Sequence, residues 1–441
     1  MTASLAAPSG ESTVEAPARS VGYQFALTGL LSANFGLVLF DRNAPSFLMP
    51  FVQPELGLTN TQVGLLSAAL SLTWAIAAFG IGAISDRTGS RKGLLVLATL
   101  VFSVCSFGSG LATGFALLLA TRLLMGAAEG GIMPLSQSLI ASDVDTRHRG
   151  LAMGVAQGFG SSLMGSFVAP VMLVWFANHF GWRHAFFLAG APGFVMALAL
   201  AWFIRPPRAL PEGQPVAAAR PDGVTTAGTA TGGPVFTAMS FRNALADSNV
   251  LSCAILSILL VSYLVVCWSF MPLFLTKVRG YDVTTMGWLM GSLGISATVA
   301  SSAVPWLSDY IGRRGVMIAL PFVAVALPLA ALFYSGPVWS LGAIFVTGWL
   351  VTGIFPLFMA AVPSESVEAS HVATALGICM GAGELIGGAL SPYIAGVFAD
   401  RIGLEAPLWI MAGLAFVAGF VALAVRETAP RLKSATHPVR P

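Results

Sequence analysis

Charged residues are scarce in this sequence of 441 residues: Asp, Glu, Lys and Arg make up only 9%, while apolar residues make up 56%. An ordinary soluble domain carries about 25% charged residues, many of them on the surface that faces water. The composition therefore excludes a soluble globular protein, as well as disordered, collagen-like and disulfide-rich secreted chains. What remains is a helical protein that crosses a membrane several times.

Cysteines and catalytic motifs are also scarce. The four cysteines lie in apolar stretches without a CxxC motif: Cys105, Cys253, Cys267 and Cys379. We expect small buried side chains there rather than disulfides or metal ligands. The sequence has no HExxH, GxSxG, P-loop or EF-hand pattern. This predicts that the protein is not an enzyme and binds no metal.

Twelve apolar stretches are long enough to cross a bilayer as helices, which takes about 20 residues each. They are predicted at 25–52, 60–84, 93–112, 114–140, 150–176, 184–204, 250–275, 284–307, 315–334, 338–361, 372–398 and 406–425. These runs are too long for strands and lack a sustained two-residue alternation.

A long connection divides the spans into two groups of six. Residues 205–248 are rich in Pro, Gly, Ala and Thr, which is typical of a flexible linker. The predicted fold is an all-α membrane protein with 12 transmembrane helices in two pseudo-symmetric six-helix bundles. The predicted regions are a tail (1–24), a first bundle (25–204), the linker (205–248), a second bundle (249–425) and a second tail (426–441).

The basic residues lie mainly on one side of these spans. Of the 22 Lys and Arg residues, 16 fall on the side of the two termini, four on the other side, and Arg42 and Arg122 within spans. Lys and Arg concentrate in cytoplasmic loops, so we expect both termini in the cytoplasm. The net charge of only +3 by itself says little about partners, and we expect no nucleic-acid partner.

The loops after spans 2 and 8 repeat a pattern of Ser, Asp, Gly and Arg. Asp86 and Asp309 are 223 residues apart, and Gly89 and Gly312 keep the same offset, as do Arg91 and Arg314. A shared offset predicts a parallel duplication of the two halves. An Asp, a turn glycine and a basic pair can bridge neighbouring helix ends, so we expect a conformational latch; the alternative is a membrane anchor with a turn.

This loop carries a resemblance to a family. Gly82 followed by Asp86, Arg87, Gly89, Arg91 and Lys92 resembles the signature loop of the major facilitator superfamily, and the span-4 stretch ATRLLMGAAEGG resembles a second motif of that family. The resemblance covers both halves. It implies two bundles that rock about a central site and expose it alternately to either side of the membrane.

Five charged residues lie within predicted spans: Asp41, Arg42, Arg122, Glu129 and Glu384. A charge at mid-depth of the bilayer costs at least about 2.5–3.5 kcal/mol, so each is a candidate functional residue, with a structural ion pair as the alternative. An arginine is a permanent positive anchor for an anion. A carboxylic acid in a low-dielectric cavity can carry a proton at physiological pH. If the substrate anion and the ionised carboxylate compete for one arginine, the movement of the proton is coupled to that of the anion.

Four further stretches resemble the anion:cation symporters, a branch that handles organic anions, often with protons. They are FDRN (40–43), RLLMGAAEGG (122–131), GWRHAFF (181–187) and WSFMPLFL (268–275). The resemblance implies that Asp41 and Glu129 take up protons, that Arg42 binds the anion, and that Arg122 links the substrate to Glu129.

The sequence departs from this branch at three places. Leu39 and Ile76 replace tyrosines that are common in sugar-acid members, which favours a less hydroxylated carboxylate, with aromatic carboxylates among the candidates. Glu384 stands where a neutral polar residue is usual; it could be a second proton carrier, or it could bind an amino or hydroxyl group. Other candidate substrate contacts are Trp74, Gln157, Tyr263, Trp268 and Thr352, with lipid-facing packing or hydrogen bonds to their own helix as the alternative.

These features predict a proton-coupled symporter that imports a small organic carboxylate. We expect a monomer in the inner membrane of a bacterium, driven by the proton gradient without a cofactor. One alternative is an organic anion exchanger or exporter. An alternative of another class is a non-transporting membrane sensor or scaffold.

Overall fold

A computed structural model describes residues 19–88, 90–205, 246–368 and 371–429. Within these ranges the chain forms twelve long helices and no strand, as the composition predicts. The helices are α1 (Val21–Leu56), α2 (Asn60–Thr88), α3 (Arg91–Gly110), α4 (Phe115–Asp143), α5 (Ser162–Phe180), α6 (Trp182–Phe203), α7 (Ser248–Lys277), α8 (Val283–Ile311), α9 (Arg313–Phe333), α10 (Val338–Ser366), α11 (Thr374–Ile402) and α12 (Glu405–Ala422).

All twelve helices are long and apolar enough to cross a membrane. A membrane interior cannot hydrogen-bond the backbone, so a spanning segment must satisfy its own N–H and C=O groups as a helix does. The chain is therefore a multi-pass integral membrane protein. The cysteines are buried free thiols, as expected. Most of the predicted linker and both outer tail segments lie outside the described residues.

The backbone supports the predicted duplication. The loops after α1 and α7 contain Gly57 and Gly280, whose φ angles are 61° and 69°. Side chains disfavour this left-handed region, so glycine is required at both places. α4 begins at Phe115 and α10 at Val338, and these helices end at Asp143 and Ser366. The two starting residues are 223 positions apart, and so are the two final residues; this is the offset of the sequence repeat.

Several helices depart from regular α geometry near the middle of their length. α4 breaks at 130–131, α10 tightens over Leu350–Ile354, and α11 widens into π-type turns over Gly383–Leu390. Irregular backbone at membrane depth is tolerated where protein covers it or where it lines a cavity. These breaks therefore mark the centre of the molecule as the place to look for a site.

The two halves are bonded together at one end, which we call the closed end. The Lys277 ammonium of α7 donates to the Gln53 side chain of α1 at 2.6 Å. Asp400 of α11 accepts from the backbone N–H groups of Asn60 and Thr61 at the start of α2, both at 2.8 Å. At the opposite end, the open end, no hydrogen bond joins the halves between pairs of described residues. The described hydrogen bonds that join the ends of the two halves thus lie at the closed end.

Candidate functional site

A cavity of about 840 Å³ lies between the two halves. Helices α1, α2, α4 and α5 form one wall, and α7, α10 and α11 form the other. The lining continues along Gln137 and Met359 towards the open end and is mostly apolar. Its charged members are Arg42, Arg122 and Glu384. Three of the five charges predicted within spans therefore reach the same space.

The Arg42 side chain stacks on an aromatic ring at the cavity wall. Its guanidinium carbon lies 5.3 Å from the ring centre of Trp74, and both side chains are half-buried. Among the described residues, no carboxylate oxygen lies within 4.0 Å of its nitrogens. A guanidinium held on an aromatic face presents a planar fork of N–H donors, which suits a carboxylate.

Asp41 precedes Arg42 but does not line the cavity. Its side chain is completely buried, and the Ser106 hydroxyl of α3 donates to one of its oxygens at 2.6 Å. The other oxygen has no hydrogen-bond partner among the described residues. Neighbouring helix residues point about 100° apart. This is why one side chain faces the cavity and the other the interior of the first half.

Arg122 connects this interior to the cavity. It lines the cavity although its side chain is only 2% exposed, and one terminal nitrogen donates to the Ser109 hydroxyl at 2.6 Å. Its remaining guanidinium nitrogens have no hydrogen-bond partner in the described part of the chain. Asp41 and Glu129 are the acidic groups that attract it. Arg122 can therefore respond to the charge of two carboxyl groups.

Glu129 is fully buried on α4, and neither of its carboxyl oxygens finds a hydrogen-bond partner among the described residues. Arg42 and Arg122 attract it electrostatically, but no arginine nitrogen comes within the 4.0 Å of an ion pair. A buried carboxylate without partners is costly. The neutral, protonated form avoids that cost, so the surroundings suit a group that gains and loses a proton.

Glycines bring α2 against the face of α4 that carries Glu129. A Cβ atom on Gly126 would overlap the Leu70 carbonyl and the Thr73 hydroxyl, and one on Gly130 would overlap the Trp74 carbonyl. The residue that stacks on Arg42 thus belongs to the stretch of α2 in backbone contact with α4. Small residues permit this close approach of helices within a membrane.

The second half contributes Glu384 and Trp268 to the cavity. Glu384 lies on the π-type turns of α11, which pack against α7 and against α2 of the first half, and it interacts electrostatically with Arg42. Trp268 of α7 packs edge-on against Phe47 and Trp349, with ring centres 5.6 and 5.4 Å apart. This packing fixes the orientation of its ring at the wall.

Two predicted substrate contacts lie away from the cavity. Tyr263 is buried in the second half, where its hydroxyl donates to the Ala324 carbonyl at 3.0 Å. Thr352 donates to the Trp349 carbonyl of its own helix at 2.9 Å. Neither side chain lines the cavity, because each satisfies its polar group within the second half. A third candidate, Gln157, has a side chain outside the described set.

Two serines that hydrogen-bond to Asp41 and Arg122 were not among the predicted site residues. Ser103, Ser106 and Ser109 recur every third residue on α3 and are completely buried. Residues three apart share a helix face. This stripe was the signal in the sequence that could have identified them.

The predicted latch is described only in its second copy. Gly89 lies outside the described residues, and so do the side chains of Asp86 and Arg87; Gly82 belongs to α2, and Arg91 begins α3. In the second copy, Gly312 has a φ of 100° between α8 and α9. Arg313 lies 3.7 Å from Asp309 and 2.6 Å from Glu365 at the end of α10. These ion pairs join helix ends of one half, so they do not bridge the two halves in this conformation.

Glu365 and Glu427, two acidic residues at this junction of helix ends in the second half, were not predicted from the sequence. The Glu427 carboxylate accepts the backbone N–H groups of Arg313 and Arg314 at 3.0 and 3.1 Å, and the Arg314 guanidinium donates to the Leu423 carbonyl at 2.9 Å. Burial opposes ionisation of Glu427, but these N–H donors and those of the two following residues lower its pKa. The predicted basic pair thus holds the start of α9 against the chain after α12.

Comparison with protein families places these features in a known group. The family model of the Major Facilitator Superfamily matches residues 31–378 and 253–441. The probable 4-methylmuconolactone transporter of Cupriavidus pinatubonensis is 30% identical over 84% of this chain and 83% of its own. The hexuronate transporter of Bacillus subtilis is 26% identical over 87% of this chain and 90% of its own.

Solved structures show the same fold. A mutant of the nucleoside transporter NupG superposes with a TM-score of 0.71 at 16% identity, covering 90% of this chain and 99% of that one. At so low an identity the likeness concerns the arrangement of the helices, and the site has to be argued from its own residues.

Proposed function

The chain belongs to the major facilitator superfamily, and on that premise we propose that it is a proton-coupled symporter that imports a small organic carboxylate by alternating access. Relatives named for a muconolactone and for a hexuronate support a small organic acid as the substrate class. We also propose a monomer in a bacterial inner membrane that needs no cofactor beyond the proton gradient. Both termini would be cytoplasmic, which places the open end on the cytoplasmic side.

The observation that carries this proposal is the position of Arg42. It is a permanent cation, stacked on Trp74 at the wall of a largely apolar cavity, without an ion-pair partner among the described residues. A cation in a low-dielectric space attracts an anion strongly. A carboxylate is the anion that matches its planar fork with two parallel hydrogen bonds.

Coupling to protons would run through the buried groups behind this wall. Arg42 and Arg122 both interact with Glu129, and Arg122 also interacts with Asp41. When Asp41 and Glu129 are ionised, they compete with the substrate for the two arginines. When they are protonated, the arginines are left to the substrate. Proton and anion would therefore load together and leave together.

A less hydroxylated substrate agrees with the hydrogen bonds that polar side chains of the cavity wall make within the protein. Asn43 donates to the Gly165 carbonyl at 3.0 Å, and Ser269 donates to Ser67 at 2.9 Å. These groups already have partners, whereas a polyol needs many unused ones. Trp74, Trp268 and the methionines of the wall offer apolar surface instead.

Uptake into liposomes tests the proposal. Purified protein is reconstituted and given radiolabelled benzoate, with and without an inward proton gradient. We expect uptake that follows the gradient and collapses with a protonophore. Arg42→Lys should weaken the affinity about tenfold, because an ammonium cannot make the two parallel bonds of a guanidinium. Exchange against internal anion that ignores the gradient would instead favour an anion exchanger, and an unchanged affinity in Arg42→Lys would remove Arg42 as the anchor.

A further inference from the structure

The Glu384 carboxyl group has no assigned partner at the cavity. It lines the cavity, no described residue donates a hydrogen bond to it, and no described Lys or Arg nitrogen lies within 4.0 Å. Asp41 and Glu129 also lack full hydrogen bonding, but they are sealed inside the first half. Glu384 is the acidic side chain in this set that a substrate can touch.

The backbone of α11 holds this side chain in place. Glu384 lies on the π-type turns Gly383–Leu390, a geometry that is frequent at functional sites. Gly387 fits against the Ile258 carbonyl of α7, which anchors the turns to the second half. One carboxyl oxygen would be 3.1 Å from a Cβ on Gly388, so the missing side chain there leaves room for the carboxyl group.

The charges of the cavity face each other across the two halves. Arg42 belongs to α1 and Glu384 to α11, and the two interact electrostatically without direct contact. An anion bound at Arg42 would therefore bring its own charge close to a second carboxylate. Like charges repel in a low-dielectric space unless a hydrogen-bond donor lies between them. The arrangement thus disfavours a plain carboxylate and favours one that carries a donor.

Building on the proposed function, we infer that the substrate is a carboxylate with an apolar body and a hydroxyl or amino group at its far end, and that Glu384 accepts a hydrogen bond from that group. The substrate carboxylate would meet Arg42 on the first half, its body the aromatic surface of Trp74 and Trp268, and its donor Glu384 on the second half. A molecule that spans the cavity in this way ties the two halves together when it binds.

Calorimetric binding to the purified full chain in detergent tests this inference. The ligands are benzoate, para-hydroxybenzoate, meta-hydroxybenzoate and para-methoxybenzoate. The methoxy group adds bulk without a hydrogen-bond donor, so the series separates the effect of the donor from the effect of ligand size. We expect a hydroxybenzoate to bind at least about tenfold more tightly than benzoate and methoxybenzoate, since a hydrogen bond to a charged group is worth about 1.5–3 kcal/mol. Glu384→Gln should reduce this preference to about threefold or less while benzoate still binds.

Leu385→Ala is the matched control, because Leu385 neighbours Glu384 on the same turns but is 46% exposed and does not line the cavity. It should keep the full preference. A wild-type protein that binds benzoate and its derivatives equally would overturn the inference and leave the proposed function standing. Failure of every carboxylate to bind would overturn both.

The same variant also distinguishes hydrogen bonding to the substrate from a role of Glu384 as a proton carrier. If Glu384→Gln keeps the hydroxyl preference and exchange but loses uptake driven by the proton gradient, Glu384 is a proton carrier and the inference is wrong. Loss of the preference with gradient-driven benzoate uptake retained supports it.

Discussion

The two halves of the molecule share their helices but not their interiors. Adding the repeat offset of 223 to residues of α1 and α4 gives their counterparts in α7 and α10. Asp41 then corresponds to Leu264, and Glu129 to Thr352. In the described part of the second half, the only buried charged residue is Arg313 at a helix end. The first half alone buries a connected set of carboxyl groups and an arginine.

This difference assigns different tasks to two copies of one fold. A charge within a membrane protein is costly and is retained where it has a function. The first half keeps three such groups beside a stripe of buried serines, and the proton coupling proposed above rests on these groups. In the second half, Phe345 occupies the position that corresponds to Arg122, and it is completely buried with Trp349 nearby in the chain. The two halves therefore share an arrangement of helices and differ in their interiors, and the proposed coupling depends on that difference.

The largest expected effect comes from Glu129→Gln, which removes one of the buried carboxyl groups that distinguish the first half from the second. In Glu129→Gln liposomes, we expect exchange of internal for external anion to continue, whereas uptake driven by the proton gradient stops, because a glutamine carries no exchangeable proton. For a wild-type one-proton symporter, a gradient of about two pH units supports about hundredfold accumulation, since each tenfold step corresponds to about 1.4 kcal/mol. Radiolabelled uptake and exchange measure both.

The counterpart Thr352→Val serves as the control, because its hydroxyl bonds only the Trp349 carbonyl of its own helix. It should accumulate the anion like the wild type. Equal loss of exchange and accumulation in Glu129→Gln would give Glu129 a structural role instead.

The architecture was readable from the sequence for a simple physical reason. A bilayer demands long apolar runs, and such runs leave little ambiguity about number and type of element. Boundaries were less accurate: α1 begins at Val21 and ends at Leu56, beyond the predicted 25–52 at both ends. Helices extend past the apolar core until a residue such as Gly57 stops them, and that stop depends on local backbone conformation.

The site was readable in part. Arg42 and Glu384 were identified because a charge in an apolar run is conspicuous, and both line the cavity. Tyr263, which was predicted as a substrate contact, lies away from the cavity in this structure. α7 is apolar on every side, so its sequence does not reveal which face turns inward. Glu365 and Glu427 were missed because their partner Arg313 lies 52 and 114 residues away in the chain. Such pairs follow from the packing of helix ends alone.

A second prediction tests what the halves have in common. Gly130 of α4 and its counterpart Gly353 of α10 pack against α2 and α8: a Cβ would overlap the Trp74 carbonyl in the first case and approach the Ala300 carbonyl to 2.6 Å in the second. We expect Gly130→Ala and Gly353→Ala to lower the unfolding free energy by a similar amount, about 1–3 kcal/mol, because backbone must shift. Thermal unfolding in detergent measures this.

Gly413→Ala in α12 is the control, since a Cβ there has nothing within 4 Å. It should leave the transition unchanged. A large loss in one half and none in the other would show that the packing has diverged together with the charges.

A third prediction compares the same helix junction in the two halves. In the first half, the Lys92 ammonium donates to the Ile204 carbonyl at 2.6 Å; 223 residues after Ile204 stands Glu427, which accepts N–H groups at the start of α9. The pKa of Glu427 is lowered in the folded protein. Its contribution is therefore present above the unfolded pKa of about 4.3 and is lost as the pH falls through the folded value.

We expect Glu427→Gln to be less stable than the wild type at pH 7, by about 1 kcal/mol for this partly exposed group, and the gap to close as the pH falls below about 4. Lys92→Gln, which removes the donor to the Ile204 carbonyl and no carboxylate, should show no such closing between these pH values. Thermal unfolding across a pH series measures both gaps. A gap in Glu427→Gln that does not change with pH would assign the effect to packing rather than to the charge.

The smallest expected effect makes the two halves more alike. Tyr263 corresponds to Phe40 in the first half, so Tyr263→Phe installs the residue of the other copy. Its buried hydroxyl donates to the Ala324 carbonyl. We expect a loss of about 1 kcal/mol in unfolding free energy and no change in the affinity for a bound carboxylate, because the hydroxyl is remote from the cavity. Trp268→Phe, at the cavity wall, should weaken binding while Tyr263→Phe does not. A weaker affinity in Tyr263→Phe would bring this tyrosine back to the substrate site, as its place among the aromatic residues of the sequence first indicated.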